Sequence, residues 1–377
     1  MTPRARRRFA TTSALVVAVA LALPGSATAG GDRQHPHSHH GKRQLTVMTQ
    51  NLYLGSSLTP AITATTPEAF VQAVAEIYGT AIFTDFPTRA EAIANTIATE
   101  KPDLVGLQEV TRWIAQPTIA GPTPPSFDFL AILQAELDER GLDYSVAAVS
   151  ENADIGPAPL VAPAYGCQAP TVPDCVVTLQ DRDVILVNED TPRLVVTSSR
   201  SGEYVAQEEL ALPTGGSVSF GRGWATIDAK FQGRKFRFVT THLEVEDFAA
   251  TQEAQGQEFL AGPARARRPV IATGDFNSAA DPDTTETPTT TYADLTERWF
   301  RDAWDVNPGD PGPTCCQAGT LTNPASQLTI RIDLVLTHGP VWAKSAHVVG
   351  DTLIPGTGAP PFWASDHAGV VAKLRLR

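Results

Sequence analysis

The residues of this sequence best suited to chemistry fall where its apolar stretches end. Each lies at or just beyond the C-terminal end of a predicted strand, or just before the last one: Asn51, Glu109, His242, Asp275, Asn277, Asp366 and His367. Because neighbouring strand ends meet at one edge of a sheet, we expect these side chains to surround a single pocket. Taken singly, such a residue is most often a turn former or a helix cap, so the prediction depends on the whole set.

The composition of this set indicates a reaction class. Carboxylate and amide oxygens with few histidines suit Mg²⁺, with Mn²⁺ or Ca²⁺ as alternatives, better than they suit zinc. Two histidines with carboxylate neighbours suit proton transfer and charge stabilisation. The set therefore predicts metal-assisted attack of water on a phosphate ester.

Asp333 differs from the others because it lies inside an apolar strand, predicted over 331–336. A carboxylate within such a strand is costly unless it is paired. His367 is a candidate partner for it.

The elements that must position these residues are strands in clusters, with helices between the clusters. Residues 59–87 are interpreted as an insertion with one short helix, and residues 151–181 as a long loop. We find no Gly-rich turn of the dinucleotide or P-loop kind. The pattern predicts an α/β fold: a four-layer α/β sandwich of two mostly antiparallel sheets packed face to face, with helices on the outer faces.

The N-terminal residues are typical of an export signal. Four arginines precede an apolar stretch over 14–24, and Ala27-Thr28-Ala29 follows, which together predict a signal peptide over 1–29. Arg6-Arg7-Arg8-Phe9 also resembles a twin-arginine signal. A flexible His-rich tail is expected over 30–44 and a single catalytic domain over 45–377. No internal apolar run reaches the ~18 residues of a transmembrane segment, so we expect no membrane span. With the signal peptide, we expect a secreted protein, and we expect it to be a monomer.

The net charge and the cysteine content bear on nucleic-acid binding and on disulfide formation. The formal net charge of −12 argues against a stable nucleic-acid complex. Four cysteines in an exported protein suggest disulfides: Cys167, Cys175, Cys315 and Cys316. Local pairing and crossed pairing between the two regions both remain open.

Short motif blocks carry a resemblance to a known family. The blocks are, in chain order, Thr49-Gln50-Asn51-Leu52, Leu107-Gln108-Glu109-Val110, Thr241-His242-Leu243, Gly274-Asp275-Phe276-Asn277, Arg331-Ile332-Asp333-Leu334 and Ser365-Asp366-His367. In type and order they resemble the endonuclease/exonuclease/phosphatase superfamily, which includes deoxyribonucleases, abasic-site endonucleases, sphingomyelinases and inositol polyphosphate phosphatases. The resemblance covers nearly the whole chain after residue 45, apart from insertions.

The resemblance implies a metal site and a partner for the first histidine. Glu109 would be the principal Mg²⁺ ligand with Asn51 beside it, and Asp366 would be a second metal or water contact. Nucleases of this kind often supply a carboxylate partner for the residue at His242, and both Asp181 and Asp183 are candidates.

The resemblance also implies catalytic roles. Asp275 would orient or deprotonate the attacking water, and Asn277 would hold the phosphate. His367 would contact a phosphate oxygen while paired with Asp333. His242 would stabilise developing charge or help to protonate the leaving oxygen. Arg222, which precedes a strand, is either a phosphate contact or a turn residue.

The sequence thus predicts a secreted Mg²⁺-dependent hydrolase of phosphate esters, a phosphodiesterase or a phosphatase. Its expected substrate is a phospholipid head group, a nucleic acid or a small phosphodiester. One alternative is a secreted nuclease that degrades extracellular DNA or RNA. Another is a catalytically inactive binding protein with the same fold. The intact motif blocks argue against this alternative.

Overall fold

The structure is a computed structural model that describes residues 44–168, 174–212, 215–356 and 358–377. The predicted signal peptide and nearly all of the His-rich tail lie outside the described residues. The first strand begins at Gln44.

The described strands occur in groups along the chain, with the helices between the groups. The strands are β1 Gln44–Asn51, β2 Leu104–Gln108, β3 Arg112–Pro117, β4 Phe127–Asp128, β5 Tyr144–Pro159, β6 Cys175–Asn188, β7 Leu194–Glu203, β8 Glu208–Ala211, β9 Ser217–Phe220, β10 Gly223–Phe231, β11 Arg234–His242, β12 Val270–Asp275, β13 Arg301–Asp302, β14 Asp333–His338, β15 Val341–Val349 and β16 Gly369–Leu376. The helices are α1 Thr59–Ile62, α2 Pro67–Phe83, α3 Phe86–Glu100, α4 Phe129–Glu139, α5 Ala249–Ala261 and α6 Thr291–Arg298. No helix among the described residues combines the length and the apolarity needed to cross a membrane.

Two large sheets form the centre of the molecule. The first sheet runs β15-β16-β1-β2-β6-β3-β4 with β5 paired to β6, and the second runs β13-β14-β12-β11-β10-β7. Only β1 with β2 and β11 with β12 pair in parallel among the described strands. Helices α2 to α4 pack on the outer face of the first sheet, and α5 and α6 pack on that of the second. The predicted four-layer α/β sandwich is confirmed.

The inner faces of the sheets change from apolar to polar along each central strand. Their middle is a shared apolar core that includes Val47, Ile185, Phe238 and Ile271. Successive side chains of a strand alternate between its two faces, so the residues two and four positions after a core residue share its face. Counted from Val47, Phe238 and Ile271, the residue two positions later is a threonine and the residue four positions later belongs to the candidate site. These pairs are Thr49 and Asn51, Thr240 and His242, and Thr273 and Asp275. Strand alternation therefore directs the candidate residues to one end of the inter-sheet space.

The prediction of a long loop over 151–181 is wrong. Strand β5 continues to Pro159 and β6 already begins at Cys175, and the two pair along their length. The register of β5 shifts at three places, between Val146 and Ala148, Glu151 and Ala153, and Ile155 and Ala158. Bulges of this kind interrupt the period of two by which a strand is recognised. Helix α2 is also longer than the short helix expected in the insertion.

The cysteines pair locally rather than between regions. Cys167 is bonded to Cys175, with their Cα atoms 5.5 Å apart, and joins the segment after β5 to the start of β6. Cys315 is bonded to its neighbour Cys316.

Candidate active site

Strand register places Asp275 at the centre of the candidate site. In the pairing of β11 with β12, Asp275 is opposite His242, and in the pairing of β12 with β14 it is opposite Asp333. Its Oδ2 accepts a 3.1 Å hydrogen bond from Nδ2 of Asn51. The same oxygen lies 3.5 Å from Nε2 of His242 and 3.8 Å from Nδ1 of His367. Four predicted residues from distant parts of the chain therefore meet around one carboxylate.

His367 is held by the buried Asp333, which the structure places at the first position of β14. Nδ1 of His367 lies 2.9 Å from Oδ2 of Asp333. Burial lowers the pKa of His367, but Asp333, Asp275 and Asp366 outweigh it and raise this pKa well above its usual value. The structure therefore favours a positively charged imidazole at this position, oriented by Asp333.

Ser365 connects the His367 loop to the end of β1. Its hydroxyl donates a 2.8 Å hydrogen bond to the carbonyl of Asn51 and accepts one of 3.1 Å from the backbone N–H of His367. The predicted Ser365-Asp366-His367 block is therefore fixed beside the first block of the site.

Glu109 and Asp366 add negative charge on the other side of Asn51. Glu109 follows β2 with a φ of +54°, an uncommon backbone conformation for a residue other than glycine. Its Oε2 accepts a 2.6 Å hydrogen bond from the backbone N–H of Leu54. Burial, with a smaller contribution from the nearby Glu109, raises the pKa of Asp366 to about 7.

This donor set fits a divalent cation. The negative charges of Glu109 and Asp275 both repel that of the buried Asp366 and raise its pKa. A bound cation would relieve this repulsion. The oxygens of these three carboxylates, with the amide of Asn51, are hard ligands of the kind that Mg²⁺ and Ca²⁺ take. Ligand atoms of Asp275, Asp333 and His367 also lie within 4.8 Å of one another. The metal-binding roles of Asn51, Glu109 and Asp366 stay predictions.

His242 is surrounded by hydrogen-bond donors. Nη1 of Arg222 lies 3.0 Å from its Nδ1 and 3.1 Å from its Nε2. Nδ2 of Asn277 lies 3.2 Å from Nε2 and donates to the carbonyl of Leu243 at 2.9 Å. Burial, the Arg222 guanidinium and His367 lower the pKa of His242 well below its usual value. This imidazole is therefore neutral near neutral pH.

Among the described residues neither Asp181 nor Asp183 pairs with His242, and the carboxylate beside this ring is that of Asp275, 3.5 Å from Nε2. Oδ2 of Asp181 accepts instead a 3.5 Å hydrogen bond from Asn152, and the side chain of Asn152 also interacts with the buried carboxylate of Asp183. Burial raises the pKa of Asp181 to about 7 and that of Asp183 well above its usual value. The guanidinium of Arg222 thus lies beside His242 together with the carboxylate of Asp275.

Arg222 reaches His242 because glycines flank it. A Cβ at Gly221 would lie 1.9 Å from the carbonyl oxygen of Asn152, so only glycine permits this approach. Nη2 of Arg222 forms a 3.2 Å ion pair with the buried Glu244. The only sequence signal for Arg222 was its position before a predicted strand, and Glu244 had none.

Comparison with known proteins agrees with the geometry. A family model described as "Endonuclease/Exonuclease/phosphatase family" matches residues 48–367. No curated protein sequence matches this chain.

Solved structures with the same fold come from several bacteria. A family protein from Bacteroides thetaiotaomicron is 16% identical with a TM-score of 0.56, over 90% of this chain and 100% of its own. One from Beutenbergia cavernae is 22% identical with a TM-score of 0.54, over 89% and 72%. A mannosyl-6-phosphatase from B. thetaiotaomicron is 17% identical with a TM-score of 0.54, over 88% and 99%. These likenesses show the fold, and with the family match they establish that the chain belongs to the endonuclease/exonuclease/phosphatase family.

Proposed function

We propose that this chain is an exported, Mg²⁺-dependent hydrolase of phosphate esters in which water attacks phosphorus. One observation carries the proposal: a single oxygen of Asp275 lies within 3.1 Å of Asn51, 3.5 Å of His242 and 3.8 Å of His367. Membership of a family of nucleases and phosphatases supports the reaction class.

Glu109, Asn51 and Asp366 would hold the cation. When bound, Mg²⁺ supplies Lewis-acid polarisation of the phosphoryl oxygens and offsets the charge that develops in the transition state. The hydrogen bond from Leu54 to Glu109 keeps one carboxylate oxygen oriented, which leaves the other for the cation.

Asp275 is suited to take a proton from water. Burial, more than any neighbouring charge, raises the pKa of this carboxyl to about 7, and a base works best when its pKa is near the working pH. The water oxygen bonds to phosphorus as the ester P–O bond breaks. The proton held by Asp275 then returns through solvent to the departing oxygen, so that water and ester give one acid and one alcohol.

The two histidines would stabilise charge in different ways. His367, whose pKa is raised, places a cation beside a phosphoryl oxygen, with its orientation set by Asp333. His242, whose pKa is lowered, offers a neutral ring as a hydrogen-bonding group to the departing oxygen. Asn277 would contact the phosphate with its amide.

Export is supported by the order of basic, apolar and small residues over 1–29. The disulfide between Cys167 and Cys175 is also typical of proteins that fold in an oxidising compartment.

The proposal is tested with bis-p-nitrophenyl phosphate and p-nitrophenyl phosphate, in Mg²⁺ and after EDTA. We expect turnover in Mg²⁺, its loss in EDTA and its recovery when Mg²⁺ is restored. Asp275→Asn should lose activity, whereas Glu286→Gln, a change at an exposed carboxylate, should keep it. Turnover that persists in EDTA would contradict the metal requirement, and no turnover with any divalent cation would favour the inactive binding protein.

A further inference from the structure

A cavity of about 680 Å³ lies next to the candidate active site, between helix α2 and the hairpin β8–β9. One face of α2 contributes Phe70, Val74 and Ile77, at the spacing that places residues on the same side of a helix. Strand β6 contributes Val177 and Leu179. Sites for small molecules usually have volumes of about 300–1,000 Å³ and mostly apolar walls.

The hairpin β8–β9 supplies the opposite wall. It belongs to neither large sheet. Leu210 is directly opposite Val218 in its register, and both side chains line the cavity with Leu212 and Phe220. These four are half-buried, whereas Glu209, next to Leu210, is exposed. The hairpin thus presents an apolar face to the cavity.

The cavity borders the candidate site on the His242 side. Gln207 lines it and holds the backbone of Arg222: its Nε2 donates to the Arg222 carbonyl at 2.9 Å, and its Oε1 accepts from the Arg222 N–H at 2.8 Å. Asn152 also lines it, 3.5 Å from Asp181, with its own Oδ1 buried and unpartnered. The cavity wall is therefore one residue away from Arg222, whose guanidinium contacts His242.

A second connection reaches the Glu109 side. Trp113 lines the cavity, and its Nε1 donates a 2.8 Å hydrogen bond to the carbonyl of Leu54. The N–H of Leu54 in turn donates to Glu109. Hydrogen bonds through one intervening residue thus connect the cavity wall to Glu109, by way of Leu54, and to His242, by way of Arg222.

The charges of the cavity select among ligands. None of the described residues that line it is Lys, Arg or His, and its charged members, Asp154 and Glu203, are acidic. A nucleic acid carries a phosphate at each nucleotide and needs cations along its path. An uncharged apolar chain needs none and gains from burial in such walls.

The geometry points to this cavity as the binding site for an alkyl chain of the substrate, which makes a phosphate ester with such a chain the substrate class. This inference rests on the phosphoesterase activity proposed above.

The test measures kcat/KM for methyl, butyl and octyl p-nitrophenyl phosphate in Mg²⁺, at concentrations where each ester is monomeric. Burial of each further methylene should raise kcat/KM about threefold. A flat series, or faster cleavage of a DNA oligonucleotide than of the octyl ester, would overturn the inference. Failure to cleave even the methyl ester would instead refute the phosphoesterase activity, so the two failures are distinguishable.

Two variants of the hairpin test whether the dependence of kcat/KM on alkyl-chain length arises in this cavity. Val218→Trp fills part of the space, so it should lower kcat/KM for the octyl ester at least about tenfold and leave the methyl ester unchanged, which also shows that the protein is folded. The matched control is Glu209→Gln, an exposed position on the same hairpin, which should change neither. An octyl rate in Val218→Trp equal to that of the wild type would contradict the proposal.

Discussion

The side-chain amide of Gln108 donates a 2.7 Å hydrogen bond to Oγ1 of Thr240, directly from one sheet to the other. Its carbonyl oxygen accepts a 3.2 Å bond from Thr49. The sheets approach closely here, since a Cβ at Gly106 would lie 2.4 Å from Oγ1 of Thr273. This polar layer separates the apolar core from the candidate site and sets the position of one sheet's strand ends relative to the other's.

Replacing Gln108 by Leu should destabilise the protein. The change leaves the buried Thr240 hydroxyl without its partner, which costs about 1–3 kcal/mol of the free energy of unfolding. Urea denaturation measures this loss. The double variant Gln108→Leu/Thr240→Val removes both polar groups and should recover part of the stability. A single variant as stable as the wild type would show that this contact contributes nothing.

Arg89 holds two loops of the candidate site through hydrogen bonds to their backbone. Its buried guanidinium donates to the carbonyls of Leu52 and Ala364, which lie next to Asn51 and near Asp366 respectively. Burial lowers its pKa to about 10, so it remains charged at neutral pH.

Arg89→Met should therefore weaken the metal site as well as the fold. Loss of such supporting contacts typically lowers metal affinity about 10- to 100-fold. The Mg²⁺ concentration for half-maximal turnover should rise accordingly, and Arg89→Lys should restore part of it. An unchanged Mg²⁺ dependence in a folded Arg89→Met variant would limit Arg89 to a role in stability.

Removing the imidazole of His367 should lower kcat about 10²- to 10³-fold without unfolding the protein. Asp333→Asn should lower kcat as well, because it removes the charge that orients the ring. His347→Ala, at a surface histidine that pairs with Glu100 at 3.2 Å, is the matched control. Near wild-type turnover in a folded His367→Ala variant would contradict the catalytic role assigned to His367.

The sequence was most informative where strand alternation is regular. His242 and Asp275 end apolar strands, so both their proximity and the sandwich fold could be predicted. The part of β5 from residue 151 onward could not be predicted, because the register shifts of this strand break the period of two. The contact of Arg222 with His242 could not be predicted either, since it depends on Gly221 packing against the carbonyl of Asn152, a residue of that same part of β5.

The final prediction concerns acid stability and the ion pair of Asp128 with the buried Arg182, 2.6 Å apart. Nε of Arg182 donates to the carbonyl of Val110, the residue after Glu109. Burial raises the pKa of Asp128, but Arg182 and Arg112 outweigh it, so the net shift is downward. Its stabilisation is therefore present above its unfolded pKa of about 3.9 and is lost as the pH falls through the lower folded value.

Asp128→Asn isolates this charge, because asparagine still caps helix α4. The variant should be less stable than the wild type by about 1–2 kcal/mol at pH 7, and the difference should shrink below pH ~4. Urea denaturation from pH 3 to pH 7 measures it, with Asp138→Asn at an exposed position of α4 as control. A difference that stays constant down to pH 3 would show that the charge of Asp128 does not stabilise the segment that carries Glu109.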